Sequence, residues 1–159
     1  MSSARPADVL GTFTPHLIVK GAAKAIRFYT EAFDAAEIYR LCEPGSGKIG
    51  HAELRIGRGN LMLADEYPDW GALGPASVGG TPVSLHLYVD DVDAVLERAT
   101  KCGATVLRAA KDEFFGDRVA TLVDPFGHQW QLATRKENVT SAEMQKRWDE
   151  AVASGGGPA

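Results

Sequence analysis

The strongest constraint in this sequence is an internal repeat. Thr14-Pro15-His16-Leu17-Ile18-Val19 matches Ser84-Leu85-His86-Leu87-Tyr88-Val89 at an offset of 70, and Leu61-Met62-Leu63-Ala64 matches Trp130-Gln131-Leu132-Ala133 at an offset of 69. Self-similarity of this kind means that one supersecondary unit is used twice. Each copy opens with a short β-type run and passes straight into a helical pattern. In the first copy Ala22, Ala25, Ile26, Tyr29 and Phe33 recur at the spacing of one buried helix face, and in the second Val92, Val95, Leu96, Ala99 and Cys102 do the same. Asp90 or Asp91 stands where an N-cap accepts orphan N–H groups, and Gly103 stands where a left-handed residue ends the helix.

Three strand-like runs follow each helix: 36–43, 49–56 and 61–64 in the first copy, 105–110, 118–124 and 128–134 in the second. Pro44-Gly45-Ser46-Gly47, Gly57-Arg58-Gly59-Asn60 and Asp124-Pro125-Phe126-Gly127 supply the turns. The unit is βαβββ, and the fold class is α+β. One face of each sheet is covered by its helix. Two units side by side can curl their bare faces into a curved mixed sheet around a cleft, with a pseudo-twofold axis through it. The chain then divides into an N-terminal arm (1–13), one domain (14–134), a C-terminal helix (135–153) and a disordered tail (154–159). Within the domain, module one spans 14–65, a linker loop 66–82 and module two 83–134. Thr140 and Glu143 have capping-box spacing, and Met144, Trp148, Ala151 and Val152 share a helix face that is expected to pack on the sheet or on a second subunit.

Composition removes several function classes. Seventeen basic against 21 acidic residues give a net charge near −4 with the basic residues scattered, so neither nucleic acid nor an anionic membrane is an expected partner. No apolar run approaches a membrane span, and the first residues lack the apolar core of a signal peptide. Cys42 and Cys102 are far apart with no CxxC, which suits reduced thiols in a cytoplasmic protein. A small-molecule ligand is the expected partner.

The motifs carry a resemblance. Paired βαβββ modules with AIRFYTEAF after the first strand and VDDVDAVLERA after the second resemble the vicinal-oxygen-chelate superfamily of glyoxalases, bleomycin-resistance proteins and dioxygenases. HAELRIG, LMLADE, GDR and DPFGH in these positions resemble its PhnB-like group, and the resemblance runs from about Thr14 to Thr134. It implies a homodimer and a choice between two kinds of function. Metal enzymes of this superfamily take His, Gln or Glu ligands from the first and last strand of each module. The matching positions here are Thr14, Met62, Ser84 and Gln131, a poor set for a divalent cation. The resemblance therefore implies a protein that binds and sequesters a small, apolar or planar molecule, with no cofactor at the usual metal positions.

Period-2 alternation puts Thr14, His16 and Ile18 on one strand face and Ser84, His86 and Tyr88 on its repeat mate, so two imidazoles can meet across the cleft. His16 and His86 are expected to line the pocket. A displaced metal site on these two, completed by Glu53 or Gln131, is the alternative and would make the protein a lyase, isomerase or dioxygenase. His51 and Glu53 share a strand face and are candidates for a general base with its orienting carboxylate. Arg118, after Gly116-Asp117, can grip an anion or pair with an acidic neighbour. Trp70 and Phe115, with Tyr67, Phe114 and Trp130, are aromatics expected near the mouth. His128 is expected to point away from the cleft.

Overall fold

The computed structural model describes residues 13–157. The expected arm therefore lies outside the described residues except for Phe13, as do the last two residues of the expected tail. Module one runs β1 (His16–Val19), α1 (Ala22–Phe33), β2 (Ala36–Cys42), β3 (Ile49–Ile56) and β4 (Gly59–Asp65). The linker holds a single 3-10 turn (Pro68–Trp70) and the short helix α2 (Pro75–Val78). Module two runs β5 (Ser84–Tyr88), α3 (Val92–Lys101), β6 (Thr105–Asp112), β7 (Asp117–Val123) and β8 (Gln129–Arg135), and α4 (Ser141–Ala153) follows. The strand orders β1-β4-β3-β2 and β5-β8-β7-β6 are identical in the two modules, and each first strand pairs parallel with its module's last. The sheets stay separate and do not close into a barrel.

The helices form where their apolar faces are spaced for burial, but their N-termini are held by different means. Gly21 precedes α1 and has no side chain to cap it. Asp65, at the end of β4, accepts from the Gly21 and Ala22 amides at 3.1 and 2.8 Å, and its second oxygen takes the Ile49 amide at 2.7 Å. A carboxylate at this end of a helix also opposes the positive pole of the dipole. Thr134, the repeat mate of Asp65, accepts from the Val92 amide at 2.9 Å and donates to the Val89 carbonyl at 2.9 Å. Asp91 adds the expected N-cap on α3, accepting from the Ala94 amide at 3.1 Å. Gly103 has φ +110°, the left-handed residue the sequence required.

Leu17, Val19, Leu54 and Leu63 in module one, and Leu122 and Leu132 in module two, point at the helices and are buried. The two halves join through α1, which packs beside α3 and sends Phe28, Tyr29 and Phe33 across to Phe126 and Trp130, with the Phe33 and Trp130 rings 4.8 Å apart. Trp130 is thus a core residue, 3% exposed, and it also forms part of the groove lining. Under these rings lies a buried carboxylate. Asp124 Oδ2 accepts from Tyr29 Oη at 2.5 Å and Trp130 Nε1 at 2.9 Å, while Oδ1 accepts from the Phe126 and His128 amides at 2.9 and 3.0 Å. Four donors occupy the four lone-pair positions of one carboxylate. Burial, and then the Asp124 charge, push the Tyr29 phenol well above its usual pKa, so it stays a donor.

Of the two placements expected for α4, on the sheet or on a second subunit, the structure does not show the first. Its N-cap Thr140 accepts from the Glu143 amide as foreseen, but no α4 residue is buried. The helix touches the β6–β7 turn, where Trp148 meets the Phe114 ring at 5.7 Å and Arg147 donates to the Phe114 carbonyl at 3.0 Å. Among the described residues its apolar face is only partly covered: Met144, Trp148 and Ala151 are half-buried and Val152 is exposed.

Replacing Asp124 by Ala strands the Tyr29 hydroxyl and the Trp130 indole N–H inside the junction. The expected cost is about 3–5 kcal/mol of unfolding free energy, measured by denaturant titration, whereas Asp149→Ala on exposed α4 leaves the midpoint unchanged.

Candidate functional site

A groove of about 620 Å³ lies between the edge strands β1 and β5. His16 and His86 both line it, so the repeat does bring its two imidazoles to one cavity. Ser84 lines it as well, and Leu17, Leu61, Leu85 and Leu87 give it apolar walls. Strand register explains the placement. Reading across module one, Tyr39, Glu53, Met62 and His16 stand side by side; across module two the same row reads Arg108, Thr121, Gln131 and His86. Met62 and Gln131 therefore flank the histidines on the sheet faces, although neither lines the groove itself.

Each row has its own polar network. Glu53 is 1% exposed and accepts from Tyr39 Oη at 2.9 Å. His51 Nε2 lies 3.3 Å from the same oxygen, so the two catalytic candidates are neighbours, with the carboxylate placed to orient the ring. The His16 ring stacks on His51 with centroids 5.6 Å apart. Partial enclosure, and then the nearby His51, lower the His16 pKa below the usual 6.5, so this ring stays neutral further into acid. In module two His86 Nδ1 lies 3.1 Å from Gln131 Oε1. With that oxygen as acceptor, the ring donates from Nδ1 and keeps its Nε2 lone pair.

Sequence reasoning missed the neighbouring network. Asp117, 3% exposed, accepts from Tyr88 Oη at 2.7 Å and from Arg135 Nε, and Arg135 Nη2 donates to Tyr88 Oη at 2.9 Å. The only hint was a buried-strand Asp with an Arg 18 residues further on. Asn60, read only as a turn residue, also lines the groove.

Other expected residues are placed elsewhere. Arg118 spends its guanidinium fork on Asp93, at 2.8 and 3.1 Å, and on Asp112 at 3.2 Å, so it is a structural clamp between α3 and the sheet and lines no part of the groove. Those carboxylates raise its pKa further above the already high guanidinium value. Phe115 packs edge-on to Phe114 beside α4, outside the groove. Thr14 precedes β1 and does not line the groove. Trp70 is 82% exposed, stacked on Tyr67 at 5.4 Å, and lines a separate hollow of about 310 Å³ that it shares with His16 and Ile18. Lys48 Nζ sits 4.2 Å from the Tyr67 ring centre and steadies this stack. His128 corrects its expectation. It lines the groove and lies with Nε2 2.9 Å from the Ile18 carbonyl, tying β1 to module two.

Strand register corrects the expected grouping of Thr14, Met62, Ser84 and Gln131: His16 stands beside Met62 and His86 beside Gln131, whereas Ser84 pairs with Gln129 and Thr14 precedes β1. Among the described residues no group of three or more His, Cys, Asp or Glu is arranged to hold a metal ion.

Comparison with known proteins decides the family. Residues 10–132 match the model of the Glyoxalase/Bleomycin resistance protein/Dioxygenase superfamily. The chain belongs to that superfamily. An uncharacterised protein of Mycobacterium tuberculosis is 47% identical over 141 residues, covering 87% of this chain and 82% of that protein. The PhnB protein of Bacillus cereus, described as a putative 3-demethylubiquinone-9 3-methyltransferase, superposes with a TM-score of 0.62 at 21% identity, over 78% of this chain and 99% of that one. The fosfomycin resistance protein FosX of Listeria monocytogenes, solved with Mn(II) and sulfate, gives a TM-score of 0.60 at 20% identity over 87% and 97% of the two chains. These last two likenesses are of fold.

The His16 titration checks the stacked pair. Its midpoint by NMR is expected below 6.5, and His51→Ala is expected to move it upward by removing a like charge and part of the enclosure. Because the folded pKa is depressed, the unfolded chain takes up protons first as pH falls below 6.5. Stability attributable to this ring is therefore present at neutral pH and is lost in acid, and His16→Gln flattens that loss.

Proposed function

We propose that this protein binds a small, largely apolar or planar molecule in the groove between its two modules and works by sequestration, as a cytoplasmic homodimer. The observation that carries this reading is the convergence of the two repeat-related histidines on one cavity with leucine walls. A cavity of this size suits a drug-sized ligand. His16 and His86 supply polar contacts, Gln131 orients the His86 ring, and Trp70 offers a flat face beside the neighbouring hollow.

A second copy of the chain completes the enclosure. His16 and His86 are exposed in a single chain, as are Leu41 at 59% and Tyr88 at 54%, so the inner sheet faces lack a cover that sequestration needs. The partly exposed apolar face of α4, with Val152 49% exposed, is a further contact for a partner subunit. No helix of the described residues is long and apolar enough to cross a membrane, in keeping with a protein free in its compartment.

The test joins metal analysis, turnover and binding. The purified protein is expected to hold no stoichiometric divalent metal, to leave glyoxalase-type hemithioacetals unchanged, and to sediment as a dimer. His16→Ala and His86→Ala are each expected to weaken binding of a planar aromatic probe by roughly threefold to thirtyfold, without abolishing it. Stoichiometric metal that disappears together with turnover in either variant replaces this reading with the metal-enzyme alternative.

A further inference from the structure

The wall chemistry of the groove restricts its ligand more sharply than its size does. Among the described residues that line it there is no Asp, Glu, Lys or Arg. Charged side chains are plentiful in the chain, and several lie on the adjoining sheet faces, yet they are engaged away from the groove: Asp117 with Arg135, Arg118 with Asp93, Glu53 with Tyr39. The titratable side chains of the lining are the three histidines. His128 is tied to the Ile18 carbonyl, and His86 is held by Gln131. An anion entering such a groove finds no lysine or arginine in the lining to replace the water it gives up.

One polar group in the wall is unsatisfied. Asn60 Nδ2 is closed off from solvent and has no hydrogen-bond partner. Asn60 follows the β3–β4 turn, pairs with Arg55 across the ladder, and its side chain forms part of the groove lining. A buried amide donor left unpaired is costly, and such groups in native structures call for an explanation. Asn60 is itself a lining residue, so this unpaired N–H₂ belongs to the groove wall.

We infer that the groove selects an uncharged ligand carrying a carbonyl-type hydrogen-bond acceptor, which Asn60 Nδ2 receives while the leucine walls cover the apolar body. This rests on the groove being the ligand site, and it narrows that site's ligand class to neutral ketones, quinones, lactams or esters, against carboxylates, phosphates and phosphonates. Asn60 is in this view the residue that sets specificity, and the histidines position the ligand from the opposite side.

Three naphthalenes of one shape separate the possibilities: 2-acetylnaphthalene is neutral with an acceptor, 2-ethylnaphthalene is neutral without one, and 2-naphthoate is anionic. Equilibrium binding to the wild-type chain is expected to favour the ketone about tenfold over the ethyl compound, with the carboxylate weakest. Asn60→Leu, near in volume, is expected to remove the ketone's advantage while leaving the affinity for 2-ethylnaphthalene and the melting temperature unreduced. Asn60→Asp, which replaces the donor by an acceptor, is expected to disfavour the ketone. Equal affinities for ketone and ethyl compound, or an advantage that survives Asn60→Leu, overturn the role of Asn60 and leave the groove as a ligand site. Tightest binding by the carboxylate overturns the uncharged-ligand class. Failure of all three to bind overturns the groove itself, and this inference with it.

Discussion

Everything in this structure that concerns function depends on a single carboxylate being buried at the junction of two half-domains. Neither βαβββ module has a reason of its own to sit at a fixed angle to the other, because their sheets share no ladder. Asp124 supplies one. It pulls the Tyr29 hydroxyl of module one into module two, and it straightens its own turn by accepting the Phe126 and His128 amides. The His128 amide bond to Asp124 places a ring whose far nitrogen reaches the Ile18 carbonyl on β1. One group therefore sets both the packing under α1 and the spacing of the strands that border the groove. An isolated carboxylate here would be prohibitively costly; with its four acceptor positions filled, it becomes a source of geometric definition instead.

Much of the fold was legible because it follows from local periodicity and from the repeat. The helix faces around Ile26 and Val95 and the turn at Gly103 depend on residues near one another in sequence, whereas the register that sets His16 beside Met62 and His86 beside Gln131 came only with the folded sheets. What was hidden depends on partners that only folding brings together. Tyr29 read as one more member of an apolar stripe, since nothing nearby announces an acceptor 95 residues away. The start of α1 showed no capping residue because its cap is Asp65, across the sheet. Arg118 looked available for a ligand only while Asp93, on another element, was out of view.

The same distinction applies within the candidate site. Alternation along β1 and β5 was enough to point both histidines inward, and adjacency along β3 was enough to pair His51 with Glu53. Neither says which groups end up without partners, since that depends on the whole three-dimensional inventory of donors and acceptors. Asn60 illustrates this. In a Gly-Arg-Gly-Asn turn an asparagine is ordinary, and only the assembled wall shows that its amide nitrogen is left over. Trp130 shows the converse, an aromatic whose position by the groove suggested stacking but whose indole N–H is committed to Asp124.

Asp65 and Thr134 hold corresponding places at the ends of β4 and β8, and both take the first amide of the helix that follows their partner strand. One does so with a charge, the other with a hydroxyl that also donates to a carbonyl. The two halves have thus inherited a task without inheriting the residue that performs it. A duplicated gene tolerates that kind of drift wherever the requirement is for a lone pair in a particular place. The kinship of the halves is accordingly written less in matching letters than in matching obligations, and a comparison by residue identity will understate how closely they are related.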